Sequence, residues 1–347
     1  MARVLVTRPL PPGSLEPLEG HDITILDPWA AGSSALAEVV RDLAPEAIVC
    51  TLNDRIDAGV IDAGTTGRGR PGRQVLGRQV LGRQVLGQQV QGQQVQGDGS
   101  RLRVVANVAV GYDNIDVAAA SARGVLVCNT PGVLDETTAD LAFALILAAS
   151  RRTSEAEADL RAGRWGGWAL DGYLGRDVHG ATLGLVGFGR TARAVARRAR
   201  GFSMEVLHHS RTATGVAGYM ADLDSMLAIS DIVSLHVPLS IETYHIIDTR
   251  RLAVMKPSAV LVNTSRGPVV DEAALADALA EGRIFAAGLD VYENEPAIHP
   301  RLLAAPHTVL LPHMGSASTA TRTAMARMAA EGAADALAGR PPAHLLR

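Results

Sequence analysis

A chain of 347 residues is long enough to form two domains with separate hydrophobic cores. Its residues are 47% hydrophobic and 20% charged, which is typical of a globular protein. The formal net charge of −3 argues against nucleic acid or an anionic membrane surface as the main partner.

The N-terminal residues MARVLVTRPL are predicted to contain a first β-strand. They are not expected to be a signal peptide, because they lack its apolar region and cleavage site. The two cysteines, Cys50 and Cys128, each end a short β-like run, AIVC and VLVC. We therefore expect both to be buried free thiols in a reducing compartment, which predicts a cytoplasmic protein.

Residues 73–97 are five consecutive pentads, three of Arg-Gln-Val-Leu-Gly followed by two of Gln-Gln-Val-Gln-Gly. They form most of an insert, about residues 64–100, between a predicted helix at residues 57–63 and a predicted strand at residues 102–106. A loop of this length that repeats Gln and Gly is expected to be disordered.

Three interpretations of the insert compete. A pentapeptide β-solenoid needs more coils and small internal residues. A nucleic-acid tether would use the five arginines of the insert, which outnumber its single aspartate, but no aromatic residue is present for base stacking. The third interpretation is a tandem expansion in a permissive loop. We favour this one, because helix-to-strand connections lie at the amino ends of parallel strands, away from the edge that binds ligands.

The longest apolar run, residues 141–149, lies in a predicted helix of residues 137–152. This run is well short of the ~20 residues that a membrane-spanning helix needs. We therefore expect no membrane association.

The segment TLGLVGFGRTARAVARRARG places the pattern G-x-G-x-x-A between a predicted strand and a predicted helix. Gly187 would make the tight turn, Gly189 would let the backbone approach a pyrophosphate, and Ala192 is accepted in the third position. The helix N-terminus adds free N–H groups and a dipole that favours anions. The pattern predicts a dinucleotide site with contacts from Gly187, Phe188, Gly189, Arg190 and Thr191.

Further strands are predicted at residues 205–209, 232–237, 259–263, 286–291 and 308–311, separated by Ala-rich helical segments. This alternation is typical of a parallel α/β sheet, in which ligands bind outside the carboxyl ends of the strands. Residues that follow these strands and are predicted to contact the dinucleotide are Ser210, Arg211, Thr212, Pro238, Thr243, Thr264, Ser265, Asp290 and Gly315.

Seven motifs identify a family to which the chain is similar. They are, in chain order, VANVAVGYDNID, NTPGVLDETTADLAFALILAASRR, GFGRTARAVARRARGF, HVPLSIETYHII, NTSRGPVVDEAAL, GLDVYENEP and LPHMGSAS. In content and order they resemble the D-isomer-specific 2-hydroxyacid dehydrogenases, especially the glyoxylate/hydroxypyruvate reductase branch. The resemblance covers nearly the whole chain except residues 64–100.

The resemblance implies an α/β protein of two Rossmann-like, doubly wound parallel-sheet domains. The substrate domain would be discontinuous, with residues 1–105 and 316–347, and the dinucleotide-binding domain would cover residues 106–315. The implied reaction interconverts a small 2-keto acid, with glyoxylate and hydroxypyruvate as first candidates, and its D-2-hydroxy acid. NADP or NAD would be the cofactor, and no metal is implied.

The family's catalytic set of Arg, Glu and His has a match for each member in this chain. Arg266 would hold the substrate carboxylate and polarise the carbonyl. His313 would protonate the carbonyl oxygen during hydride transfer. Glu295 would pair with His313 and favour its protonated form, so the two groups are expected to titrate as a pair.

The resemblance also implies substrate contacts in the first domain. Leu52 and Asn53, with backbone N–H groups near Val110 and Gly111, would surround the substrate carboxylate. Residues 161–168, RAGRWGGW, are similar to an exposed tryptophan loop that meets the partner subunit in the family. We therefore expect a homodimer.

The choice of nicotinamide depends on the end of the second strand. NAD-type sites carry Asp or Glu there, about 20 residues after the glycines, whereas this chain has Ser210, Arg211 and Thr212. The arginine and the absence of a carboxylate predict a preference for NADPH, and NADH bound through the hydroxyls alone is the alternative. Thr191 and Ala192 depart from the Ile-Gly usual in the family, which is expected to shift cofactor packing.

Two other functions stay open. One is a different enzyme of the same fold, such as a 3-phosphoglycerate dehydrogenase or a formate dehydrogenase, although the latter has Gln where this chain has Glu295. The other is a nucleotide-sensing co-repressor that binds protein partners, which a retained catalytic set does not exclude. Turnover of a keto acid separates an enzyme from a binding protein.

Overall fold

The protein is described by a computed structural model over residues 1–26, 36–66, 77–81, 84–86 and 101–346. The chain divides into two compact units. The first unit consists of Met1–Leu134 and Ser318–Arg347, and the second consists of Asp135–Ala317.

The N-terminal part of the first unit alternates short strands and helices. A 3₁₀ turn at Glu16–Leu18 follows the first strand. The elements are β1 (Arg3–Val6), β2 (Asp22–Leu26), α1 (Leu36–Leu43), β3 (Ala47–Cys50), α2 (Ala58–Thr66), β4 (Gly77–Leu81), β5 (Gln84–Leu86), β6 (Val104–Asn107), α3 (Val117–Ala122) and β7 (Leu126–Cys128).

The sheet of the first unit has the strand order β5-β4-β2-β1-β3-β6-β7. The five strands from β2 to β7 are parallel, and β3 and β6 are buried along their whole length, as expected for a sheet covered on both faces. The strands β4 and β5 form an antiparallel hairpin that pairs with β2.

This hairpin corrects part of the prediction that residues 64–100 are disordered. Residues 64–66 end α2, and residues 77–81 and 84–86 are strands, because β2 offers an edge whose backbone groups need partners. The remainder of the predicted insert lies outside the described residues.

The two ends of the insert are directly bonded to each other. The carbonyl oxygen of Gly64 accepts a hydrogen bond of 2.9 Å from the backbone N–H of Leu102. A Cβ atom on Gly64 would lie 2.9 Å from the Cβ of Leu102, so the close approach of the two chain segments requires glycine. An insertion between adjacent ends leaves the surrounding domain intact.

The second unit begins with the long apolar helix. Its elements are α4 (Asp135–Ser150), α5 (Thr153–Arg161), β8 (Thr182–Val186), α6 (Arg190–Arg200), β9 (Glu205–His209), α7 (Leu223–Ile229), β10 (Ile232–Leu235), α8 (Thr249–Val254), β11 (Val260–Asn263), a 3₁₀ turn (Gly267–Val269), α9 (Glu272–Ala280), β12 (Ala286–Leu289), α10 (Pro300–Leu303) and β13 (Thr308–Leu310). The chain then forms α11 (Thr319–Leu337), which belongs to the first unit.

The second sheet has the order β13-β12-β11-β10-β8-β9, and all of its strands are parallel. Side chains alternate between two cores, one on each face. Leu261 packs with residues of α7, α8 and α9, whereas Val260 and Val262 pack with residues of α4 and α6. The predicted doubly wound fold is confirmed, and the predicted strands match the observed ones to within two residues at each end.

The predicted domain boundary near residue 105 is wrong by about 30 residues. Strand β6 pairs with β3 and strand β7 pairs with β6, so this part of the chain completes the first sheet. The chain enters the second unit only at Asp135. The C-terminal segment returns to the first unit as expected, where the guanidinium of Arg103 bonds the carbonyl oxygens of Ala336 and Leu337 at the end of α11.

Both cysteines are buried and free, as expected. Burial raises the pKa of Cys128 to about 12, so this side chain stays a neutral thiol. Among the described residues, no helix combines the length and the apolar character needed to cross a membrane.

Candidate active site

His313 and Glu295 form a hydrogen-bonded pair in the loops that follow β13 and β12. The distance from His313 Nδ1 to Glu295 Oε2 is 2.7 Å. Both side chains are 26% exposed, so the pair is partly shielded and still reachable from solvent. With Glu295 accepting at Nδ1, the Nε2 atom of His313 is left to exchange a proton with a reacting group.

Asp290 determines the position of the His313 loop. The backbone of His313 has a positive φ of 51°, in the left-handed region that non-glycine residues rarely adopt. Its N–H donates to the carbonyl oxygen of Asp290 at 2.9 Å, and the Asp290 carboxylate accepts from the N–H groups of Met314 at 2.7 Å and Gly315 at 2.8 Å. Burial raises the pKa of Asp290, against the lowering effect of these bonds and of His313.

Glu295 remains ionised despite its partial burial. Burial is the largest influence and raises its pKa, but the hydrogen bond and charge of His313 act in the opposite direction. The N–H of Tyr292 donates to Glu295 Oε1 at 3.0 Å, and the charge of Arg266 adds a smaller effect. The net result is a pKa below the usual glutamate value, which favours the carboxylate form.

Arg266 lies in the loop after β11, the strand next to β12. The buried side chain of Asn263 shapes this loop, because its Oδ1 accepts from the N–H of Ser265 and its Nδ2 donates to the carbonyl oxygen of Arg266. A Cβ atom on Gly267 would overlap the main chain of Tyr292 and Glu293. Only glycine allows the loops of Arg266 and Glu295 to approach this closely.

The two glycines of the G-x-G-x-x-A turn have different roles. Gly187 has a φ of 89°, and a Cβ atom there would lie 2.7 Å from the carbonyl oxygen of His236. Gly189 is the N-cap of α6 with no side-chain cap, and a Cβ atom there would meet nothing within 4 Å. Gly187 is therefore required by the fold, whereas Gly189 leaves open space above uncapped helix N–H groups.

Phe188 belongs to a stack of side chains that was not predicted from the sequence. Its ring is stacked on His208 with centroids 3.7 Å apart, and the guanidinium of Arg193 lies 4.6 Å from the Phe188 centroid. His208 Nε2 is 2.7 Å from Thr214 Oγ1. Burial and then the charge of Arg193 lower the pKa of His208, so the ring is neutral and packs as a flat support.

Among the other predicted cofactor residues, several hydroxyl groups donate hydrogen bonds within their own loops. Thr243 Oγ1 donates to the carbonyl oxygen of Pro238 at 2.6 Å, and Ser265 Oγ donates to Asn263 Oδ1 at 2.9 Å. Ser210 Oγ donates to the carbonyl oxygen of Thr212 at 2.7 Å.

Three further predicted cofactor residues have distinct environments. Arg211 is exposed at the end of β9. Arg190 Nε and Thr191 Oγ1 each lie 3.1 Å from the carboxylate of Asp135 at the start of α4. The Thr191 hydroxyl therefore has an internal partner, and Ala192 beside it is fully buried.

The predicted substrate residues lie in two loops of the first unit that are joined by polar side chains. Asp54, near Leu52 and Asn53, accepts from the N–H of Thr51 at 2.8 Å and from the hydroxyl of Thr7 at 2.6 Å. Asn114 donates to the carbonyl oxygens of Thr51 and Asp54, and so joins this loop to the loop after β6.

The second of these loops is held by two buried amides. Asn107 donates to the carbonyl oxygen of Gly111 at 2.8 Å, and Asn129 donates to that of Val110 at 2.7 Å. The sequence did not reveal the role of four polar residues in these loops, because a short polar residue after a strand is indistinguishable there from an ordinary loop residue. They are Asp54, Asn107, Asn114 and Asn129.

The residues of the second unit fit a nicotinamide dinucleotide. Gly189 leaves space at an uncapped helix N-terminus, which suits a pyrophosphate. The Thr264 hydroxyl is buried at the end of β11 without a hydrogen-bond partner among the described residues. Within the residues that the structure describes, no group of three or more His, Cys, Asp or Glu side chains is arranged to hold a metal ion.

Two parallel α/β units, a dinucleotide turn and a carboxylate–histidine pair at neighbouring strand ends define the class of nicotinamide-dependent dehydrogenases. Residues 143–315 match the family profile of the D-isomer specific 2-hydroxyacid dehydrogenase, NAD binding domain. The chain belongs to the D-isomer-specific 2-hydroxyacid dehydrogenase family.

Relatives and solved structures match over almost the whole chain. A glyoxylate reductase from Thermococcus litoralis is 39% identical over 95% of this chain and 92% of its own length, and one from Korarchaeum cryptofilum is 44% identical over 95% and 91%. The TT0316 protein from Thermus thermophilus superposes with a TM-score of 0.84 at 38% identity, covering 99% of this chain and 100% of that chain. An NADPH-dependent glyoxylate/hydroxypyruvate reductase from Sinorhizobium meliloti, in complex with NADP and malonate, has a TM-score of 0.78 at 32% identity over 99% and 96%.

Substitutions at the two turn glycines should have different effects. We expect Gly189→Val to lower the melting temperature less than Gly187→Ala does, because valine is a poor N-cap residue but its Cβ meets no neighbouring atom. We also expect Gly189→Val to weaken NADPH binding at least tenfold, because the new side chain fills the space above the helix N-terminus. We expect Gly187→Ala to lower the melting temperature, because of its positive φ and the contact with His236. Thermal unfolding and nicotinamide fluorescence titration measure both effects. Unchanged binding in Gly189→Val would contradict the assignment.

Proposed function

We propose that this chain reduces a small 2-keto acid, with glyoxylate and hydroxypyruvate as the preferred substrates, to the corresponding D-2-hydroxy acid or glycolate. The observation that carries the proposal is the 2.7 Å hydrogen bond between His313 and the ionised Glu295. Such a pair supplies a proton to an oxygen that becomes negatively charged when a carbonyl group is reduced. The names of the relatives, glyoxylate reductase and glyoxylate/hydroxypyruvate reductase, support the same substrates.

Each catalytic residue has one role in this proposal. Arg266 binds the substrate carboxylate with its fixed set of donors and orients the carbonyl group. His313 donates its Nε2 proton to the carbonyl oxygen, and Glu295 stabilises the imidazolium before that transfer. Bound NAD(P)H supplies the hydride.

Further residues are proposed to contact the substrate or the cofactor. Leu52, Asn53 and the backbone of Val110 and Gly111 are proposed to contact the substrate. The dinucleotide is proposed to lie on the turn of residues 187–191, with Thr264, Asp290 and Gly315 near its nicotinamide end. The buried free cysteines support a reducing, cytoplasmic environment.

NADPH is proposed as the preferred cofactor. The carboxyl end of β9 carries Ser210, the exposed Arg211 and Thr212, and no carboxylate that would repel a 2′-phosphate. The relative from Sinorhizobium meliloti, described as NADPH-dependent, was solved with NADP.

Turnover tests the proposed reaction directly. Loss of reduced-nicotinamide absorbance is followed with NADPH and NADH against glyoxylate, hydroxypyruvate, pyruvate and 3-phosphohydroxypyruvate. We expect reduction of the first two, and a fall in kcat/KM of roughly 10²–10³-fold in Arg266→Ala, because a charged donor set is lost. Preference for 3-phosphohydroxypyruvate would indicate a 3-phosphoglycerate dehydrogenase. Nicotinamide binding without turnover would indicate a sensor.

The pH dependence of reduction should reflect the ionisation of Glu295. The hydrogen bond and charge of His313 hold the pKa of Glu295 below its usual value against the effect of burial, so its carboxylate form persists as the pH falls below the ordinary glutamate range. Glu295→Gln keeps an oxygen acceptor but removes the charge. We expect kcat/KM for glyoxylate reduction to fall at least about tenfold and its pH profile to differ from that of the wild type. An unchanged pH profile would show that Glu295 is not one of the titrating groups.

The cofactor preference should depend on Arg211. A lost charge-assisted hydrogen bond to phosphate corresponds to roughly 10- to 100-fold in affinity. We therefore expect Arg211→Ala to raise KM for NADPH by about tenfold or more and to change KM for NADH little. Arg200→Ala is the matched control, because Arg200 is an exposed arginine at the C-terminal end of α6, away from the dinucleotide turn at its N-terminal end. Equal changes for both cofactors in Arg211→Ala would contradict the assignment.

A homodimer is proposed to form through the segment after α5. Trp165, Trp168 and Leu170 are 56%, 83% and 82% exposed, which is unusual for large apolar side chains close together in the chain. We expect a dimer in sedimentation velocity, and a monomer or a markedly weaker dimer for Trp168→Glu, because a buried charge destabilises an apolar interface. Leu303→Glu, at another exposed leucine, is the control. A monomeric wild type would rule out this proposal.

A further inference from the structure

The loop that carries Glu295, residues 292–299, is held at both ends by a single buried side chain. The carboxylate of Glu272 in α9 accepts a hydrogen bond of 2.6 Å from the N–H of Glu293 through Oε1. Its other oxygen, Oε2, accepts one of 3.0 Å from the N–H of His299. We propose that Glu272 is a positioning residue that sets the place of Glu295 relative to His313.

A reciprocal bond fixes Glu272 itself. Glu293 Oε1 accepts from the N–H of Glu272 at 2.8 Å, so each of these two glutamates accepts from the backbone of the other. Asp271 caps the same helix by accepting from the N–H of Ala274. Three carboxylates thus lie at the positive N-terminus of α9, where the helix dipole and the unpaired N–H groups stabilise them.

The burial of Glu272 indicates that these bonds are specific. The residue is only 5% exposed, and a buried carboxylate is costly unless hydrogen bonds replace its water. Its hydrogen bonds to Glu293 and His299 join α9 to the two ends of the Glu295 loop. A shorter or neutral side chain at this position cannot accept both N–H groups, so at least one end of the loop would move.

Movement of this loop would act on the reaction through Glu295. That residue lies between the two held ends, and the N–H of Tyr292 at the loop start bonds its Oε1. A shift of about 1 Å in a catalytic group can reduce the rate on the order of 10²-fold. Substrate and cofactor affinity should change much less, because Arg266 and the dinucleotide turn belong to other loops.

The inference rests on the proposed function, and its test compares Glu272→Gln with Glu281→Gln. Glu281 lies at the exposed C-terminal end of the same helix and pairs with Arg283. For glyoxylate reduction with NADPH, we expect Glu272→Gln to lower kcat at least tenfold and to change both KM values less than about threefold. Its pH profile of kcat should change in the same direction as in Glu295→Gln. We expect Glu281→Gln to behave as the wild type.

The double variant Glu272→Gln/Glu295→Gln distinguishes positioning from a general structural role. If Glu272 acts through Glu295, the double variant loses little more kcat than Glu295→Gln alone. Losses of kcat that multiply in the double variant, or a lowered melting temperature with an unchanged pH profile, would overturn the proposal. If Glu272→Gln does not fold, Glu272→Asp replaces it. Aspartate keeps the charge but reaches only one of the two N–H groups, so a kcat between those of the wild type and Glu295→Gln is expected.

An NMR measurement keeps this inference separate from the reaction itself. In protein labelled with ¹⁵N-histidine, the Nδ1 chemical shift of His313 at one fixed pH should differ between Glu272→Gln and the wild type, because Nδ1 forms the hydrogen bond to Glu295. A wild type without turnover would reject the proposed function, while that NMR difference would still support the positioning of Glu295. An active wild type with identical His313 chemical shifts in the two proteins would reject the positioning role alone.

Discussion

The hydrogen bond between His313 and Glu295 depends on the parallel order of the second sheet. Strands β11, β12 and β13 are neighbours, and their carboxyl ends carry Arg266, Glu295 and His313 in turn. Neighbouring strands lie about 4.8 Å apart, so three consecutive strand ends bring three loops within reach of one small molecule. The left-handed backbone of His313 and the close approach at Gly267 then set the distances between these loops.

Buried polar side chains hold the loops of both units in the same way. In the second unit, Asp290 and Glu272 accept backbone N–H groups from the loops of His313 and Glu295. In the first unit, Asp54 accepts from Thr51, and Asn107 donates to Gly111. Loops without regular structure need such partners for their backbone groups. The partly exposed Glu295 and His313 thus belong to a larger arrangement whose other members, Asp290 and Glu272, are buried.

The pentad repeat leaves this arrangement undisturbed. It is inserted between Gly64 and Leu102, whose backbones are hydrogen-bonded to each other, so α2 and β6 keep their places. The strands β4 and β5 of this segment extend the first sheet beyond β2, at the edge opposite β7. The loops with the predicted substrate residues follow β3 and β6, which lie inside the sheet. The interpretation of the repeat as a tolerated expansion remains a prediction.

The sequence by itself determined the α/β class, the dinucleotide turn and the strands of the second sheet, because strand–turn–helix patterns are local. The catalytic roles of Arg266, Glu295 and His313, which the ordered motifs imply, remain a prediction. It misplaced the domain boundary, since the pairing of β6 with β3 joins residues more than 50 positions apart. It also missed Asp54, Asn107 and Glu272, and took the strands β4 and β5 for disordered chain. Only the tertiary structure decides which polar side chains become buried and which backbone groups they bond, because those contacts join residues distant in the chain.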